Sequence, residues 1–412
     1  MWKIHGKIYD LNLFLDKHPG GKQILEISMG EDDLTASFES YHAFSDMEKI
    51  KKIMKKYEIG NCEPPKVTFK PNGFYRTLQK RVIKELKNNT KSDWKWFLKT
   101  IIQSIIFFYC FYFSFYNTAV NTIYRTITAI IAAHMWVQLG FCVMHDASHM
   151  AISKNKNINE NLSSIWNSFG LWDSQLWSKH HVIRHHAFTG DMNLDPDTIH
   201  FKPFIRKSIK IPNKSYYKIT KYFSKTLPIF TICIFPGMYV GQGIISYHLS
   251  WMTKSYLWKM ELPNKFIIYL GESLLKLFTL YSLINSNWFI LLAFIITLNT
   301  SYAICILPDH DTMETQQNHI ENIDGKDWGE LQVRHSGNFC TQKPWVYQLF
   351  GGINYQIEHH LFPSVCHIHF PRIKPIVKKT CKEFKIPYVH HNSFKDAVSS
   401  TLQQYSNVAK EL

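Results

Sequence analysis

Regularly spaced histidines are the residues of this sequence best suited to chemistry. The densest group lies between Trp177 and His186. On a helix, His181 and His185 lie one turn apart on the same face, with His186 beside them. Three imidazoles that converge on one point suit a borderline transition metal. For an isolated group of this kind, a solvated basic loop is the alternative interpretation.

Two further groups make the basic loop a poor explanation. His145 and His149 repeat the i, i+4 spacing. Gln356 begins a third group, in which His359 and His360 follow at i+3 and i+4. Neutral histidine adds little solubility, so a surface role does not explain three such groups. The sequence therefore predicts metal binding.

The number of imidazoles indicates how many metal ions they hold. With His310, which follows the last apolar run, there are eight: His145, His149, His181, His185, His186, His310, His359 and His360. Eight nitrogen ligands are too many for one ion and suit two irons with open positions for dioxygen, whereas catalytic zinc usually needs three protein ligands. Gln356 is expected to bind through water or to orient a neighbour, and Asp146 to pair with a histidine. The remaining nearby histidines are expected in the core or at the surface: His134, His180, His335, His367 and His369.

Apolar helices must position these groups. Thr100–Val120 and Thr126–Met144 contain no Asp, Glu, Lys or Arg, and a hydrocarbon core needs roughly 20 helical residues. They are predicted to form a transmembrane hairpin. If all histidine groups share one side of the membrane, an even number of spans must follow the second group. Phe266–Ile284 and Trp288–Leu307 are predicted to cross, whereas Thr226–Ser250, rich in proline and glycine, is predicted to lie in the interface.

The expected fold is therefore mainly α and integral to the membrane, with four spans and both termini cytosolic, as the basic flanking segments also indicate. The net charge of +15 would suit nucleic acid or an anionic membrane face, and the apolar runs decide for the membrane. The eight cysteines contain no C-x-x-C pair, which favours reduced packing residues over a disulfide framework. No cleavable signal peptide is expected, because the N-terminal region is polar.

The N-terminal region resembles cytochrome b5. Trp2–Asp10, Phe14–Gly21 and the Tyr-His pair at 41–42 stand in that family's order and spacing. The resemblance implies that His18 and His42 are the axial ligands of a b-type haem. Two histidine ligands leave no open iron position, which suits electron transfer. The family usually begins about a strand and a helix before the position of Met1, so the domain is expected to be N-terminally short.

From Gly73 onward the sequence closely resembles the front-end membrane fatty-acid desaturases. These carry an N-terminal cytochrome b5 domain and three histidine boxes, with glutamine replacing the first histidine of the third box. The boxes here are residues 145–149, 181–186 and 356–360. The second has three residues between His181 and His185 where most members have two, a spacing similar to delta-5 and some delta-4 acyl desaturases.

The resemblance implies an oxygen-dependent oxidoreductase. Electrons from NADH would pass through a separate cytochrome b5 reductase to the haem and then to the diiron site. There, dioxygen would remove two hydrogens from adjacent methylenes, which gives a cis double bond and two waters. No catalytic residue beyond the metal ligands is expected, because an unactivated C–H bond calls for an iron oxidant. Encounter limited by the linker is expected between the two domains. The substrate would be a fatty-acyl chain on coenzyme A or phospholipid, with delta-5 favoured over delta-4, delta-6 or sphingolipid delta-8 chemistry.

Three regions are expected along the chain. Residues 1–60 would form a small α+β haem domain, residues 61–95 a stiff linker followed by an amphipathic helix, and residues 96–412 the desaturase domain in the endoplasmic reticulum membrane. The amphipathic helix would lie either on the membrane or on the next domain. Residues 371–412 are expected to carry no chemistry. The alternative from another class is a non-enzymatic haem-binding membrane protein with structural zinc.

Overall fold

The fold is described from a computed structural model that covers residues 1–87, 89–171, 174–199, 206–211 and 266–411. Within these residues the chain is mainly helical, with a small sheet near the N-terminus. The predicted interfacial stretch Thr226–Ser250 lies outside the described residues.

The N-terminal sheet is antiparallel, in the order β1 (Trp2–Ile4), β2 (Lys7–Tyr9) and β3 (Glu58–Asn61). A tight turn at His5 and Gly6, both with positive φ, joins β1 to β2. Between β2 and β3 lie three helices: α1 (Lys22–Ser28), α2 (Thr35–Tyr41) and α3 (Met47–Met54). Trp2 is 1% exposed in the core of this domain, and that core also contains Ile183 from the second histidine box. The haem domain therefore shares buried apolar surface with the rest of the chain.

The segment between the two domains differs from the predicted spacer. Val67 is buried, and the amide of Thr68 donates to the Lys326 carbonyl at 2.7 Å. The amide of Gly325 donates back to the Lys66 carbonyl, also at 2.7 Å. The segment is therefore fastened to the larger domain, because backbone pairing there outweighs the stiffness that its prolines suggested.

The amphipathic helix α4 (Phe74–Leu86) lies on the larger domain. Its apolar face, which includes Leu78 and Val82, is fully buried in the main core. On its exposed side, Arg81 donates to Glu383 at 2.7 Å. Of the two predicted positions for this helix, the structure shows the one against the next domain.

The first two apolar helices form the predicted hairpin with shifted ends. Helix α5 runs Trp94–Phe115 and α6 runs Thr122–Leu139, continued by a π-helical turn, Gly140–His145, and a last turn to Ser148. Helix α5 begins earlier than predicted because the Asp93 side chain accepts a hydrogen bond from the Trp96 amide at 2.9 Å. Capping, and not the first charge-free residue, sets the start of the helix.

Three further helical elements precede, contain and follow the second histidine box. They are α7 (Lys156–Phe169), α8 (Ser174–Trp177) with its π-helical continuation Ser178–His185 and last turn His186–Phe188, and α9 (Pro196–Ile199). The first and second boxes both therefore lie on or beside π-helical backbone. Such turns are rare and occur mostly at functional sites.

The next two helices carry the chain back to the histidines. Helix α10 spans Phe266–Ile284, with the predicted bounds, and α11 spans Trp288–His310. Helix α11 continues one turn past the predicted Leu307, through Pro308, and so carries His310 on its last turn. Among the described residues, three helical segments are long and apolar enough to cross a membrane: Trp94–Phe115, Thr122–Ser148 and Trp288–Gln317. Helix α10 is not one of these three.

The C-terminal part closes over the third box. Its elements are α12 (Met313–Gln317), α13 (Trp328–Arg334), β4 (Gly337–Phe339), α14 (Pro344–Leu349), α15 (Gln356–Leu361), α16 (Phe370–Glu383), β5 (Val389–His391) and α17 (Phe394–Lys410). Strands β4 and β5 pair in parallel, Asn338 opposite His390. Just before β5, the Tyr388 hydroxyl donates to the buried Glu358 carboxylate of the third box at 2.8 Å. The segment after residue 371 is thus part of the support for the box rather than a detached tail.

Candidate metal centres

The structure brings the eight predicted histidines together in two adjacent groups. In each group the possible ligand atoms all lie within 4.8 Å of one another. The rings of His186 and His360 stack with centroids 4.3 Å apart and join the groups. The five-histidine group is His145, His149, His181, His186 and His359, and the three-histidine group is His185, His310 and His360.

The π-helical turn decides how the second box is divided. In an α-helix His181 and His185 would share one face, as predicted. A π turn closes the backbone over five residues instead, and it brings His186 onto the face of His181. Their Nε2 atoms lie 3.2 Å apart. The prediction that the three imidazoles converge on one point is therefore wrong, because His185 joins the other group.

Two glycines let the third box approach the first. Gly351 has a φ of +61°, and a Cβ there would lie 3.0 Å from the Cys142 Sγ atom of the first π turn. Gly352 has a φ of +83°, and its Cβ would lie 2.7 Å from the Cβ of His367. Only residues without a side chain fit this backbone and this contact. The Gly-Gly pair thus permits the loop before Gln356 to pack directly on the first box.

Outer hydrogen bonds hold several of the imidazoles. When the Nδ1–H of a histidine donates to a fixed acceptor, the ring orientation and tautomer are set, and Nε2 is left for a metal. The donor–acceptor pairs are His149 Nδ1 with the Tyr41 hydroxyl at 2.5 Å, His185 Nδ1 with Asp195 Oδ1 at 3.0 Å, His310 Nδ1 with the His335 carbonyl at 2.8 Å, and His360 Nδ1 with Gln332 Oε1 at 2.9 Å. These partners orient rings from both groups.

The inner nitrogens test whether metal ions fit. The Nε2 atoms of His149 and His359 are buried and have no hydrogen-bond partner among the described residues. His145 Nε2 faces His181 Nε2 at 3.0 Å. Buried polar atoms normally have a partner, and facing imidazole lone pairs repel unless a cation or proton lies between them. The donor set, all nitrogen and enclosed, therefore fits two borderline metal ions.

Protonation of the groups also suits metal binding. Burial lowers the pKa of His181 and of His359 well below the ordinary imidazole value, and neighbouring histidines lower it further. Burial also lowers the pKa of His185, but the carboxylates of Asp195 and Asp197 more than offset this, so the net shift is upward. The lowered pKa of His181 and His359 favours the neutral imidazole, the form that binds metal.

Gln356 borders one of the two histidine groups, whereas Asp146 lies outside both. Gln356 Nε2 lies 3.0 Å from His310 Nε2 and 3.1 Å from His360 Nε2, so its amide borders the three-histidine group. Asp146 Oδ2 lies 2.6 Å from His367 Nδ1, outside both groups. Asp146 pairs with a histidine, although not with one of the boxes.

The two predicted haem ligands face each other in the N-terminal domain. The rings of His18 and His42 have centroids 6.2 Å apart. His18 Nδ1 donates to the Gly21 carbonyl at 2.9 Å and His42 Nδ1 to the Phe38 carbonyl at 2.8 Å, which leaves both Nε2 atoms for an iron. Burial lowers the pKa of both histidines, which favours the neutral ligand form. The arrangement fits a b-type haem with two histidine ligands.

The haem domain is docked on the second box, in contrast to the expected encounter through a linker. Arg184 donates two hydrogen bonds to the Glu31 carboxylate, each 3.0 Å long. Lys179 lies 3.1 Å from the same carboxylate and is almost fully buried. Ser37 donates to the Ile183 carbonyl at 2.9 Å. A partly buried ion-pair network and a shared apolar core hold the two domains in one arrangement.

Sequence reasoning missed several residues of the site. Asp195 follows the second box in an Asn-Leu-Asp-Pro-Asp run, and the two carboxylates so close to this box could have indicated a hydrogen-bond partner for one of its histidines. Tyr41 was noted only as part of the haem-domain pattern. Gln332 and Tyr388 carry no local signal, because each reaches its partner only through the tertiary fold.

Two family sequence models match the chain. The Cytochrome b5-like Heme/Steroid binding domain matches residues 1–63, and Fatty acid desaturase matches residues 121–392. Together with the histidine groups, these matches imply a haem in the first domain and non-haem diiron in the second. Both cofactors agree with the prediction.

Three curated relatives illustrate the similarity. A protein named acyl-lipid (8-3)-desaturase from Mortierella alpina is 28% identical, over 97% of this chain and 92% of its own length. One named probable Delta(5) fatty acid desaturase C from Dictyostelium discoideum is 30% identical, over 98% and 91%. One named sn-1 linoleoyl-lipid 6-desaturase from Synechocystis is 27% identical, over 66% and 76%. Since the desaturase match extends over well more than half of the chain and contains all three histidine boxes, the protein belongs to the fatty acid desaturase family, here joined to a cytochrome b5-like domain.

Proposed function

We propose that this chain is a front-end acyl desaturase that introduces a cis double bond between an existing double bond and the carboxyl end of a polyunsaturated chain, at the delta-5 position. The observation that carries the proposal is the pair of adjacent histidine groups, which offers eight imidazoles to two metal ions. An oxidation of unactivated methylenes with dioxygen needs such a nitrogen-rich, enclosed site.

The five-histidine group would hold one iron and the three-histidine group the other. Gln356 borders the smaller group, where its amide oxygen would bind through water or orient His310 or His360. When bound, the two irons supply the activation of dioxygen that removes one hydrogen from each of two adjacent methylenes, and two electrons and two protons complete the reduction to two waters. His18 and His42 would hold the haem that delivers the electrons.

The protein's own residues fix the geometry of this reaction. Asp195, Gln332 and the His335 carbonyl hold the imidazoles of the smaller group from behind, so their Nε2 atoms point inward. Burial of the rings excludes bulk water from the ligand atoms. A rigid, dry site limits side reactions of the oxidant and keeps the acyl methylenes in one position.

The remaining parts of the proposal concern domains, topology and partners. Residues 1–60 would be the haem domain, 61–95 the connection with α4, and 96–412 the membrane domain. Four spans with cytosolic termini in the endoplasmic reticulum membrane are supported by the three apolar segments and by α10, whose bounds agree with the predicted span Phe266–Ile284. An NADH-dependent cytochrome b5 reductase would supply electrons.

The delta-5 position is supported by the three-residue spacing in the second box and by relatives whose names include Delta(5) and (8-3) desaturation. Relatives named acyl-lipid desaturases support a substrate esterified to lipid rather than to coenzyme A.

Lipid analysis of yeast that expresses the chain tests the proposal. Cells fed separately with polyunsaturated C18, C20 and C22 acids should accumulate a product with a new double bond at position 5. A new bond at position 4 or 6 would keep the front-end activity and overturn the position. Unchanged acyl chains, with haem and two non-haem irons present, would overturn the acyl substrate and direct the search to sphingolipid bases.

A further inference from the structure

The end of helix α2, beside one haem ligand, touches a histidine of the first box. Tyr41 immediately precedes His42, and its hydroxyl oxygen lies 2.5 Å from His149 Nδ1. The two rings are also nearly parallel, at 9°, with centroids 6.0 Å apart. His149 Nε2, on the other side of the ring, is buried without a partner among the described residues and belongs to the five-histidine group. Tyr41 therefore lies directly between the two cofactor sites.

The contact is held in place by the docking of the whole domain. Helix α2, which ends at Tyr41, packs against the end of the second box. Ser37 on this helix donates to the Ile183 carbonyl at 2.9 Å, and Glu31 just before it binds both Lys179 and Arg184. Because Ser37 and Tyr41 lie four residues apart on one face of α2, the docking of this helix fixes where the Tyr41 hydroxyl stands.

When a metal occupies His149 Nε2, Nδ1 keeps the proton, and the Tyr41 hydroxyl then accepts from it as Asp195 accepts from His185 Nδ1. A hydrogen bond from Nδ1–H to a fixed oxygen sets the tautomer and the ring plane, so that Nε2 is free and correctly aimed at a metal. The other outer acceptors described above come from the membrane domain, whereas this one comes from the haem domain. The metal centre is thus complete only when the haem domain is seated.

We propose that Tyr41 is a positioning residue through which the docked haem domain orients His149, so that docking of the electron donor and retention of iron are coupled. The inference rests on the proposed ligation of iron by His149. Partners of this kind typically contribute about 10–100-fold to metal affinity. Loss of the Tyr41 hydroxyl, or loss of docking, is expected to loosen iron in the five-histidine group without any change in the haem.

The test measures iron release from the purified full-length protein into a chelator, at constant haem occupancy. Tyr41→Phe keeps the stacked ring and removes the hydroxyl, and we expect iron release about tenfold faster or more. Tyr57→Phe is the matched control, because it makes the same chemical change on a ring of the haem domain that packs on Phe14. Equal haem absorbance and equal melting temperature exclude a general loss of folding.

A second pair of variants tests the coupling. Glu31→Gln weakens the docking network, whereas Asp32→Asn removes the same charge from the neighbouring, exposed residue. We expect faster iron release for Glu31→Gln and wild-type release for Asp32→Asn. The double variant Glu31→Gln/Tyr41→Phe should release iron no faster than Tyr41→Phe alone, because both act through one contact.

The outcomes separate this inference from the proposed function. His149→Ala should lose iron, and full retention of iron by that variant would overturn the proposed ligation. Loss of iron by His149→Ala together with wild-type release by Tyr41→Phe would overturn the role of Tyr41. Additive effects of Glu31→Gln and Tyr41→Phe would overturn the coupling to docking.

Discussion

The buried carboxylate of Asp146 lies 2.6 Å from the Nδ1 atom of His367, a residue 221 positions further along the chain. On its far side, His367 Nε2 lies 3.1 Å from the Lys99 ammonium group. Burial lowers the pKa of His367, and Asp146 partly offsets this. The three side chains join the start of α5, the first box and the segment after the third box. Asp146 therefore fastens the histidine boxes to one another from outside the metal groups.

Asp146→Ala should destabilise the protein strongly. Removal of the carboxylate leaves the buried His367 Nδ1–H without its acceptor, and we expect a loss of about 1–3 kcal/mol. Asp146→Asn keeps an oxygen acceptor for His367, so its free energy of unfolding should fall clearly less than that of Asp146→Ala. Thermal unfolding of the detergent-solubilised protein measures both variants. Identical melting of Asp146→Ala and the wild type would show that the pair contributes little.

Asp195→Asn should weaken iron binding in the three-histidine group. The carboxylate accepts from His185 Nδ1 at 3.0 Å, and a neutral amide would hold the ring less firmly. We expect an iron affinity about 10–100-fold lower. Asp191→Asn is the control, since Asp191 accepts backbone hydrogen bonds in the same loop. Titration with ferrous iron distinguishes the two, and equal affinities would contradict the role of Asp195.

The haem and the non-haem iron should be removable separately. His18→Ala should abolish the haem absorbance and leave the non-haem iron content close to wild type. His310→Ala should lower the non-haem iron from two toward one per chain, because it removes one of the three imidazoles of the smaller group, and leave the haem intact. Metal analysis combined with absorbance spectroscopy checks both. Loss of both cofactors in either variant would contradict two separate sites.

His390 should make the protein less stable in acid. Burial, together with the nearby charges of Lys374 and Lys378, lowers the pKa of His390 to about 4. The unfolded chain, with the ordinary imidazole value near 6.5, then binds more protons between pH 6.5 and 4, so stability is lost as the pH falls through this range.

His390→Gln should remove part of this loss. Because the ring is only partly buried, we expect its contribution to the loss of unfolding free energy in acid to be about 1–2 kcal/mol, less than the full pKa shift would give. His391→Gln, on the same strand, is the control. Melting temperatures measured from pH 7 to pH 4 give the comparison, and an unchanged slope for His390→Gln would exclude His390 as a source of the acid sensitivity.

Residue spacing predicted much of the site. The three boxes supplied seven of the eight histidines that the structure gathers, because a short motif on a helix brings its own side chains close together, and His310 at the end of an apolar run supplied the eighth. The His18 and His42 pair followed from a resemblance, and their facing rings agree with it. Long apolar runs located the helices, although capping by Asp93 shifted the start of the first one.

Other features lay beyond the sequence for physical reasons. The grouping of His185 with His310 depends on a π turn, and no residue pattern marks such a turn. The docking of the haem domain depends on Glu31 and Arg184, which are 153 positions apart and look like ordinary surface charges in the sequence. Contacts between distant residues become visible only when the tertiary fold is known.

The π turn of the second box also places two adjacent residues in different metal groups. His185 and His186 are consecutive, yet one ring joins the smaller histidine group and the other joins the larger. The π turn takes up the third residue between His181 and His185 and so allows this division of the two rings. The number of residues in this box, and not only its histidines, therefore determines which of the two metal groups each ring joins.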